Sequence, residues 1–169
     1  LSQQTEVSLN HPDDKVRQEA SDFVSLMTPV VKSLFTDLGM EITNDAMQIH
    51  GGYGYTKDQG IEQLYRDNRI TPIYEGTNSV QAADLVFRKL SNKNGNIIDR
   101  FLKMIKSESE TKNEKIKPFT DQFTHYLGIL TKFSGWISEK TKTEKDDASA
   151  AANDYLKTLG FVSVAYAWI

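Results

Sequence analysis

Apolar residues recur at every third or fourth position from Val16 to Ile49, and this spacing constrains the fold more than any other feature of the chain. The series is Val16, Ala20, Phe23, Met27, Val30, Leu34, Leu38, Ile42, Ala46 and Ile49. Such spacing places the side chains on one face of an α-helix, which is expected to be buried. Pro29 and Gly39 interrupt the segment, but the phase persists through both. The pattern therefore predicts one long helix, kinked at Pro29, that ends at Gly51-Gly52.

The beginning of this helix is marked by Pro12, Asp13 and Asp14. Proline fits the first turn of a helix, and acidic side chains are favourable near the positive end of the helix dipole. Residues 1–11 are polar and carry no such signal, so they are predicted to form a linker or a frayed segment.

Three further runs of apolar residues at helical spacing follow residue 90 and predict three helices. They are Ile97, Ile98, Phe101, Leu102 and Ile105; then Phe119, Phe123, Tyr126, Leu130, Phe133 and Ile137; then Ala148, Ala151, Ala152, Tyr155, Leu159, Val162 and Tyr166. A polar cluster at 92–96 marks the clearest internal boundary, and charged stretches at 107–117 and 140–147 predict a hinge and a turn. No segment sustains the alternation of a strand. The sequence thus predicts an all-α fold, an antiparallel helical bundle with appended helices.

The composition excludes several classes of function. The net charge of −3, with basic residues dispersed among acidic ones, gives no case for nucleic-acid binding. The absence of cysteine excludes disulfides and thiolate metal sites, and the three widely spaced histidines predict no metal site. No apolar run approaches the roughly 20 residues that a membrane span requires. These features are compatible with the cytoplasm, where we place the protein.

Both ends of the chain predict a fragment of a longer protein. The sequence begins with Leu1 rather than methionine, and it stops at Ala167-Trp168-Ile169 within an apolar pattern. Apolar termini of this kind would expose an adhesive patch. Any targeting signal would then lie outside these residues.

Glu75 is the one candidate chemical group, and it lies in the stretch 73–81, IYEGTNSVQ. A short amphipathic helix at 61–67 and an extended segment at 71–73 are predicted before it. Gly76 allows close approach of the backbone, and Thr77 can cap the helix that begins there. Taken alone, this local pattern is more typical of a solvated carboxylate at a helix start than of a catalytic group.

Three motifs in this region resemble the C-terminal helical domain of the acyl-CoA dehydrogenases. They are AMQIHGGYGYT at 46–56, IEQLYRDNRIT at 61–71 and PIYEGTNSVQ at 72–81, in the family's order and with similar gaps. These flavoenzymes remove two hydrogens from the α and β carbons of an acyl thioester. The resemblance implies that residues 12–90 finish the catalytic helical domain. The tail, residues 91–169, resembles the extra C-terminal domain of longer bacterial members, among them enzymes that oxidise methylthiopropionyl-CoA.

The resemblance also implies roles for residues of the third motif. Glu75 matches the catalytic base that takes the α-proton, while the β-hydride passes to FAD. Tyr74 and Gly76 would lie beside the thioester. Thr77 and Ser79 would contact the flavin, Ser79 less securely because many relatives carry a longer polar side chain there.

In the first motif, Gln48, Gly51 and Gly52 match residues that contact the adenosine half of FAD in the neighbouring subunit. From the sequence alone they could equally be a helix terminus. The expected partners are therefore an acyl-CoA substrate, an electron-transferring flavoprotein and a second copy of the chain, in a dimer or tetramer. Arg66 and Asp67 are expected to form an ion pair or a cap.

The alternatives are an acyl-CoA oxidase of the same fold, or a non-catalytic helical interaction module like the family's DNA-damage-response members. The isolated chain is expected to be inactive, because the family's N-terminal and middle domains would supply most of the contacts to flavin and coenzyme A.

Overall fold

The computed structural model describes residues 1–90, 97–110 and 114–169, and in these ranges the chain forms helices and turns without any strand. The predicted all-α fold is confirmed. The α-helices of these ranges are α1 (Ser2–Asn10), α2 (Asp14–Ile49), α3 (Gly52–Tyr55), α4 (Ile61–Asn68), α5 (Asn78–Asp84), α6 (Ile97–Ser109), α7 (Lys117–Thr143) and α8 (Lys145–Ala167). None of these described helices combines the length and apolar character that crossing a bilayer requires.

Helix α2 is a single helix of 36 residues with Pro29 inside it. The side chain of Asp13 caps its first turn by accepting hydrogen bonds from the backbone N–H groups of Lys15 at 2.7 Å and Val16 at 3.4 Å. The helix ends at Ile49, and Gly51 has a φ of +58°, a conformation that glycine adopts without steric cost. The prediction of one continuous helix between these residues is confirmed.

The apolar face of α2 is buried only along its first half, and the prediction of a buried face reaching Ile49 is wrong. Buried side chains extend from Ala20 to Leu34. Beyond that point Ile42 is 65% exposed and Ile49 is 83% exposed. The reason is tertiary, because the hydrophobic core reaches only the first half of α2, and apolar spacing along the chain does not record where that core ends.

Helix α5 continues into a turn of π-helix at Leu85–Lys89, where the N–H of Leu90 donates to the carbonyl of Leu85 at 3.0 Å. It runs beside α2 in the opposite direction. Asn78 at its start contacts Thr36, and Lys89 near its end donates to Ser25 at 2.7 Å. This pairing places the segment around Glu75 next to the middle of α2.

Helices α7 and α8 form an antiparallel hairpin in which Glu144 alone separates the two helices. The charged turn predicted at 140–147 is therefore wrong, because both helices extend into it. Lys140 forms ion pairs with Glu144 and Asp147 at 2.7 and 3.0 Å across the connection. Further along, Ser134 and Tyr155 exchange a hydrogen bond of 2.9 Å between hydroxyl groups.

One hydrophobic core joins the first half of α2 to the π-helical turn and to α6, α7 and α8. Its large fully buried apolar and aromatic side chains include Leu26, Val30, Leu85, Val86, Ile98, Ile105, Leu130, Ile137, Tyr155 and Leu159. Helices on both sides of the boundary predicted near residue 91 thus share one core. The boundary cluster 92–96 itself lies outside the described residues, as does part of the hinge predicted at 107–117.

Two further expectations fail. Residues 1–11, predicted to be a linker or a frayed segment, contain helix α1, which packs against α2. A tertiary contact of this kind leaves little trace in a short polar segment. On α7, Phe119 and Tyr126 belong to the predicted apolar face but are 64% and 58% exposed.

Candidate functional site

Successive turns, not an extended strand, carry the chain from α4 to α5. The N–H groups of Thr71 and Ile73 donate to the carbonyls of Asn68 and Ile70, each at 2.9 Å. The extended segment predicted at 71–73 is therefore wrong. The N–H of Asn78 donates to the carbonyl of Pro72 at 3.3 Å and closes the base of a loop, residues 72–78, that we call the Glu75 loop.

Glu75 lies at the tip of this loop with a φ of +53°, the only residue other than glycine in the described part of the chain with a positive φ. The left-handed region costs a residue with a Cβ atom about 1–2 kcal/mol, and such strain persists only where the surrounding structure imposes it. Gly76 follows with a φ of +83°. The Glu75 side chain is exposed, as is that of Tyr74. The loop therefore presents its carboxylate outward from a strained backbone.

Two side chains from different helices hold the carbonyl groups of the loop tip. The amide of Gln81, on α5, donates from Nε2 to the carbonyl oxygen of Glu75 at 2.9 Å. The ammonium of Lys32, on α2, donates to the carbonyl oxygen of Gly76 at 2.9 Å. The two peptide groups that follow Glu75, whose carbonyls belong to Glu75 and Gly76, are thus fixed by donors outside the loop.

Asn78 ties the base of the loop to the middle of α2. Its Oδ1 accepts from Nζ of Lys32 at 2.7 Å, and its Nδ2 donates to Thr36 at 3.0 Å and to the carboxylate of Asp37 at 2.7 Å. Sequence reasoning assigned no role to Lys32, Asn78 or Asp37. Lys32 is 44 residues away from Gly76 in the chain, so no local pattern could pair them.

The structure brings together the five candidates of the third motif. Thr77 is the N-cap of α5, and its Oγ1 accepts from the N–H of Val80 at 3.4 Å. Ser79 lies in the first turn of α5, where its hydroxyl accepts a 3.4 Å hydrogen bond from Asn153 of α8. Both side chains are exposed, so a molecule approaching Glu75 can reach them.

Gln48, Gly51 and Gly52 form a separate corner at the end of α2. Asp37 contacts the base of the Glu75 loop, and Gln48 lies about 16 Å further along the helix at 1.5 Å per residue. All three corner residues are exposed, and a Cβ atom added to either glycine would meet no other atom within 4 Å. The structure therefore does not join this corner to the Glu75 loop within one chain, and it leaves the corner open to a group from outside.

Gly54 is the sterically required glycine of this corner, and sequence reasoning missed it. It is buried, and a Cβ atom added there would lie 2.5 Å from the carbonyl oxygen of Met47. Arg66 and Asp67 are expected from the sequence to form an ion pair or a cap. No ion pair joins them in the described part of the chain, because adjacent residues of a helix do not face each other, and the N-terminus of α4 has no side-chain cap.

Comparison with known proteins matches residues 14–90 to the family described as acyl-CoA dehydrogenase, C-terminal domain. The 3-methylmercaptopropionyl-CoA dehydrogenase of Ruegeria pomeroyi is 41% identical over 95 residues, which are 56% of this chain and 16% of that protein. A butyryl-CoA dehydrogenase of Syntrophomonas wolfei is 29% identical over 124 residues, 73% of this chain and 20% of that protein. Because this second match is longer than residues 1–90, it extends into the tail helices.

Among solved structures, the crystal structure of Caenorhabditis elegans ACDH-11 in complex with C11-CoA is similar to this fold. The TM-score is 0.60, and the identity is 22% over 89% of this chain and 29% of that one. The likeness concerns the fold. This chain spans less than a third of the length of each of these three proteins.

Proposed function

We propose that this chain is part of an enzyme that dehydrogenates an acyl-CoA thioester between its α and β carbons, since residues 14–90 match the C-terminal domain of the acyl-CoA dehydrogenases. One observation carries the proposal. The motif's single acid, Glu75, lies exposed on a strained loop whose carbonyl groups are held by Gln81 and Lys32. An ordinary solvated carboxylate at a helix start requires no such support. Residues 12–90 would complete the catalytic helical domain, and 91–169 would belong to the appended domain.

Glu75 would act as the general base. Its carboxylate takes the proton from the α carbon, next to the thioester carbonyl, while a hydride leaves the β carbon. Tyr74 and Gly76 would lie beside the thioester and position it. A bound acyl chain would exclude water from the carboxylate, which strengthens a carboxylate as a base.

The residues present fit FAD as the cofactor, and bound FAD would accept the β-hydride. Thr77 and Ser79 are exposed polar side chains next to Glu75 and would contact the flavin end. Gln48, Gly51 and Gly52 lie too far along α2 to reach the same end of the cofactor. Their open corner suits the adenosine half of FAD bound to a neighbouring copy, in a dimer or tetramer. The proposed electron acceptor is an electron-transferring flavoprotein, and the proposed location is the cytoplasm.

The test is Glu75→Gln in the full-length protein. Glutamine has nearly the same shape, but it cannot take up the α-proton, so the fold and FAD content should persist while dehydrogenation is lost. General-base catalysis contributes roughly 10²- to 10⁴-fold, and a sole base at an unreactive C–H bond should lie at the top of that range. The measurement is the rate at which oxidised flavin bleaches after anaerobic mixing with acyl-CoA.

Glu62→Gln is the matched control, because Glu62 is an acid in the first turn of α4 and lies outside the loop. It should bleach at the wild-type rate. If the Glu75 variant also bleaches within about tenfold of wild type, Glu75 is not the base. Wild-type turnover that requires oxygen rather than an artificial acceptor would instead assign the protein as an acyl-CoA oxidase.

A further inference from the structure

We propose that Lys32 is a positioning residue, which fixes the direction of the Glu75 carboxylate by holding the Glu75 loop from α2. This inference rests on the proposed function, since it concerns the same base. Lys32 is not placed against substrate or cofactor. It acts through the backbone of Gly76 and through Asn78, which it contacts at 2.9 and 2.7 Å.

The backbone at the loop tip needs external support. Glu75 and Gly76 both have positive φ values, +53° and +83°. Glycine reaches left- and right-handed regions with similar ease, so Gly76 by itself does not keep the chain in one of them. A glutamate favours the right-handed regions. Without restraint on the neighbouring peptide groups, the loop tip would relax and the carboxylate would point elsewhere.

Lys32 supplies this restraint from a rigid element. It lies between Val30 and Leu34 on α2, both of which are buried in the core, and its own side chain is half-buried. Its ammonium uses two donors on the loop, one for the carbonyl of Gly76 and one for Oδ1 of Asn78. Gln81 donates to the carbonyl of Glu75, but it lies on α5, the helix that directly follows the loop. Lys32 is therefore the donor that links the loop tip to the core helix.

Asn78 fixes the position of the loop along α2. While its Oδ1 accepts from Lys32, its Nδ2 donates to Asp37, which lies more than one turn further along α2. The ammonium, the amide and the carboxylate thus form a chain of charge-assisted hydrogen bonds along one face of the helix. The loop can shift along α2 only if these bonds break together.

The experiment compares Lys32→Met, Lys32→Arg and Lys89→Met in the full-length protein. Methionine keeps most of the length of Lys32 without a donor, and arginine restores the cation. Lys89 is a matched control, because it is also half-buried and joins the π-helical turn after α5 to α2, through Ser25 at 2.7 Å, without touching the loop. The two readouts are hydrogen exchange of residues 73–78 and the anaerobic flavin bleaching rate at saturating acyl-CoA.

We expect Lys32→Met to speed exchange in the loop and to slow bleaching by about 10- to 100-fold, as a misplaced catalytic group does, with little change in the acyl-CoA concentration for half-saturation. Lys32→Arg should recover most of the rate, and Lys89→Met should change neither readout. Faster exchange with a bleaching rate within twofold of wild type would overturn the positioning role while leaving Glu75 as the base. Unchanged exchange in Lys32→Met, or equal effects in Lys89→Met, would overturn it as well. A wild-type protein that does not bleach would refute the proposed function instead, and the exchange data would still decide whether Lys32 holds the loop.

Discussion

The two halves of α2 differ in what surrounds them. From Ala20 to Leu34 the helix contributes buried side chains, whereas no residue from Phe35 to Ile49 is buried. Between residues 35 and 81, Gly54 alone is buried. The same segment contains the Glu75 loop and the Gln48 corner. The region that carries the candidate chemistry thus has little internal packing.

This difference separates the source of stability from the location of the site. Burial of apolar side chains in the first half of α2 and in the tail contributes most of the favourable free energy of folding. The candidate site is held mainly by hydrogen bonds, from Lys32, Gln81 and Asn78. Substitutions in one region should therefore leave the other largely intact.

The largest effect on stability is expected from truncating the packed half of α2. Leu26 is fully buried, so Leu26→Ala should lower the free energy of unfolding by about 2–5 kcal/mol. Ile42 lies on the same apolar face but is 65% exposed, and Ile42→Ala should change it by less than about 0.5 kcal/mol. Urea unfolding of the 169-residue chain measures both. Comparable losses in the two variants would show that the second half of the helix is packed as well.

A smaller and local effect is expected at the corner. In Gly54→Ala the new methyl group would lie 2.5 Å from the carbonyl oxygen of Met47, so α3 must shift away from α2. Local hydrogen exchange at 47–55 should report a loss of about 1–3 kcal/mol, typical of overpacking. The urea midpoint of the whole chain should hardly move. Gly52→Ala is the control because its methyl group would point into open space. A loss of global stability in Gly54→Ala would mean that the corner and the core unfold together.

The smallest effect at neutral pH is expected from Tyr155→Phe, in the core of the hairpin. The hydroxyl of Tyr155 is hydrogen-bonded to Ser134 at 2.9 Å, and its removal should cost about 1 kcal/mol. Burial raises the pKa of Tyr155 above the ordinary value of tyrosine, about 10. The folded state therefore binds this proton more tightly than the unfolded state does. Its contribution to stability is complete below pH 10 or so and declines as the pH rises further.

Unfolding curves between pH 8 and 11.5 test this dependence. The wild-type chain should lose stability at the alkaline end, and Tyr155→Phe should lose less. Some decline should remain, because the hydrogen bond to Glu108 raises the pKa of Tyr166 to about 12 and acts in the same direction. Parallel curves for the two proteins would contradict the assignment to Tyr155.

Sequence reasoning recovered what depends on local spacing and missed what depends on distant contacts. Helix α2 is predicted as one continuous helix because its period continues through Pro29, and the structure confirms it. The role of Glu75 rests on the motif that its neighbours form and stays a prediction. The exposure of Ile42, the helix at Ser2–Asn10 and the link from Lys32 to Gly76 were not predicted. Each of these depends on contacts between residues that are distant in the chain. A single sequence does not reveal such contacts. The positive φ of Glu75 was missed for a related reason, since a glutamate carries no signal for that conformation.

The close contact between α2 and α8 also bears on the order of events during synthesis. A Cβ atom at Gly160 would lie 3.2 Å from a methyl group of Leu34, so the two helices meet where a side chain is missing. α2 leaves the ribosome more than a hundred residues before Gly160, and until then its apolar half lacks one of its final partners, α8. The α7–α8 hairpin, in contrast, joins neighbours in sequence and can form quickly, because local contacts close short loops. Packing around α2 is therefore completed only when the tail has emerged, and a ribosome that stalls before α8 would leave part of the apolar face of α2 open to aggregation.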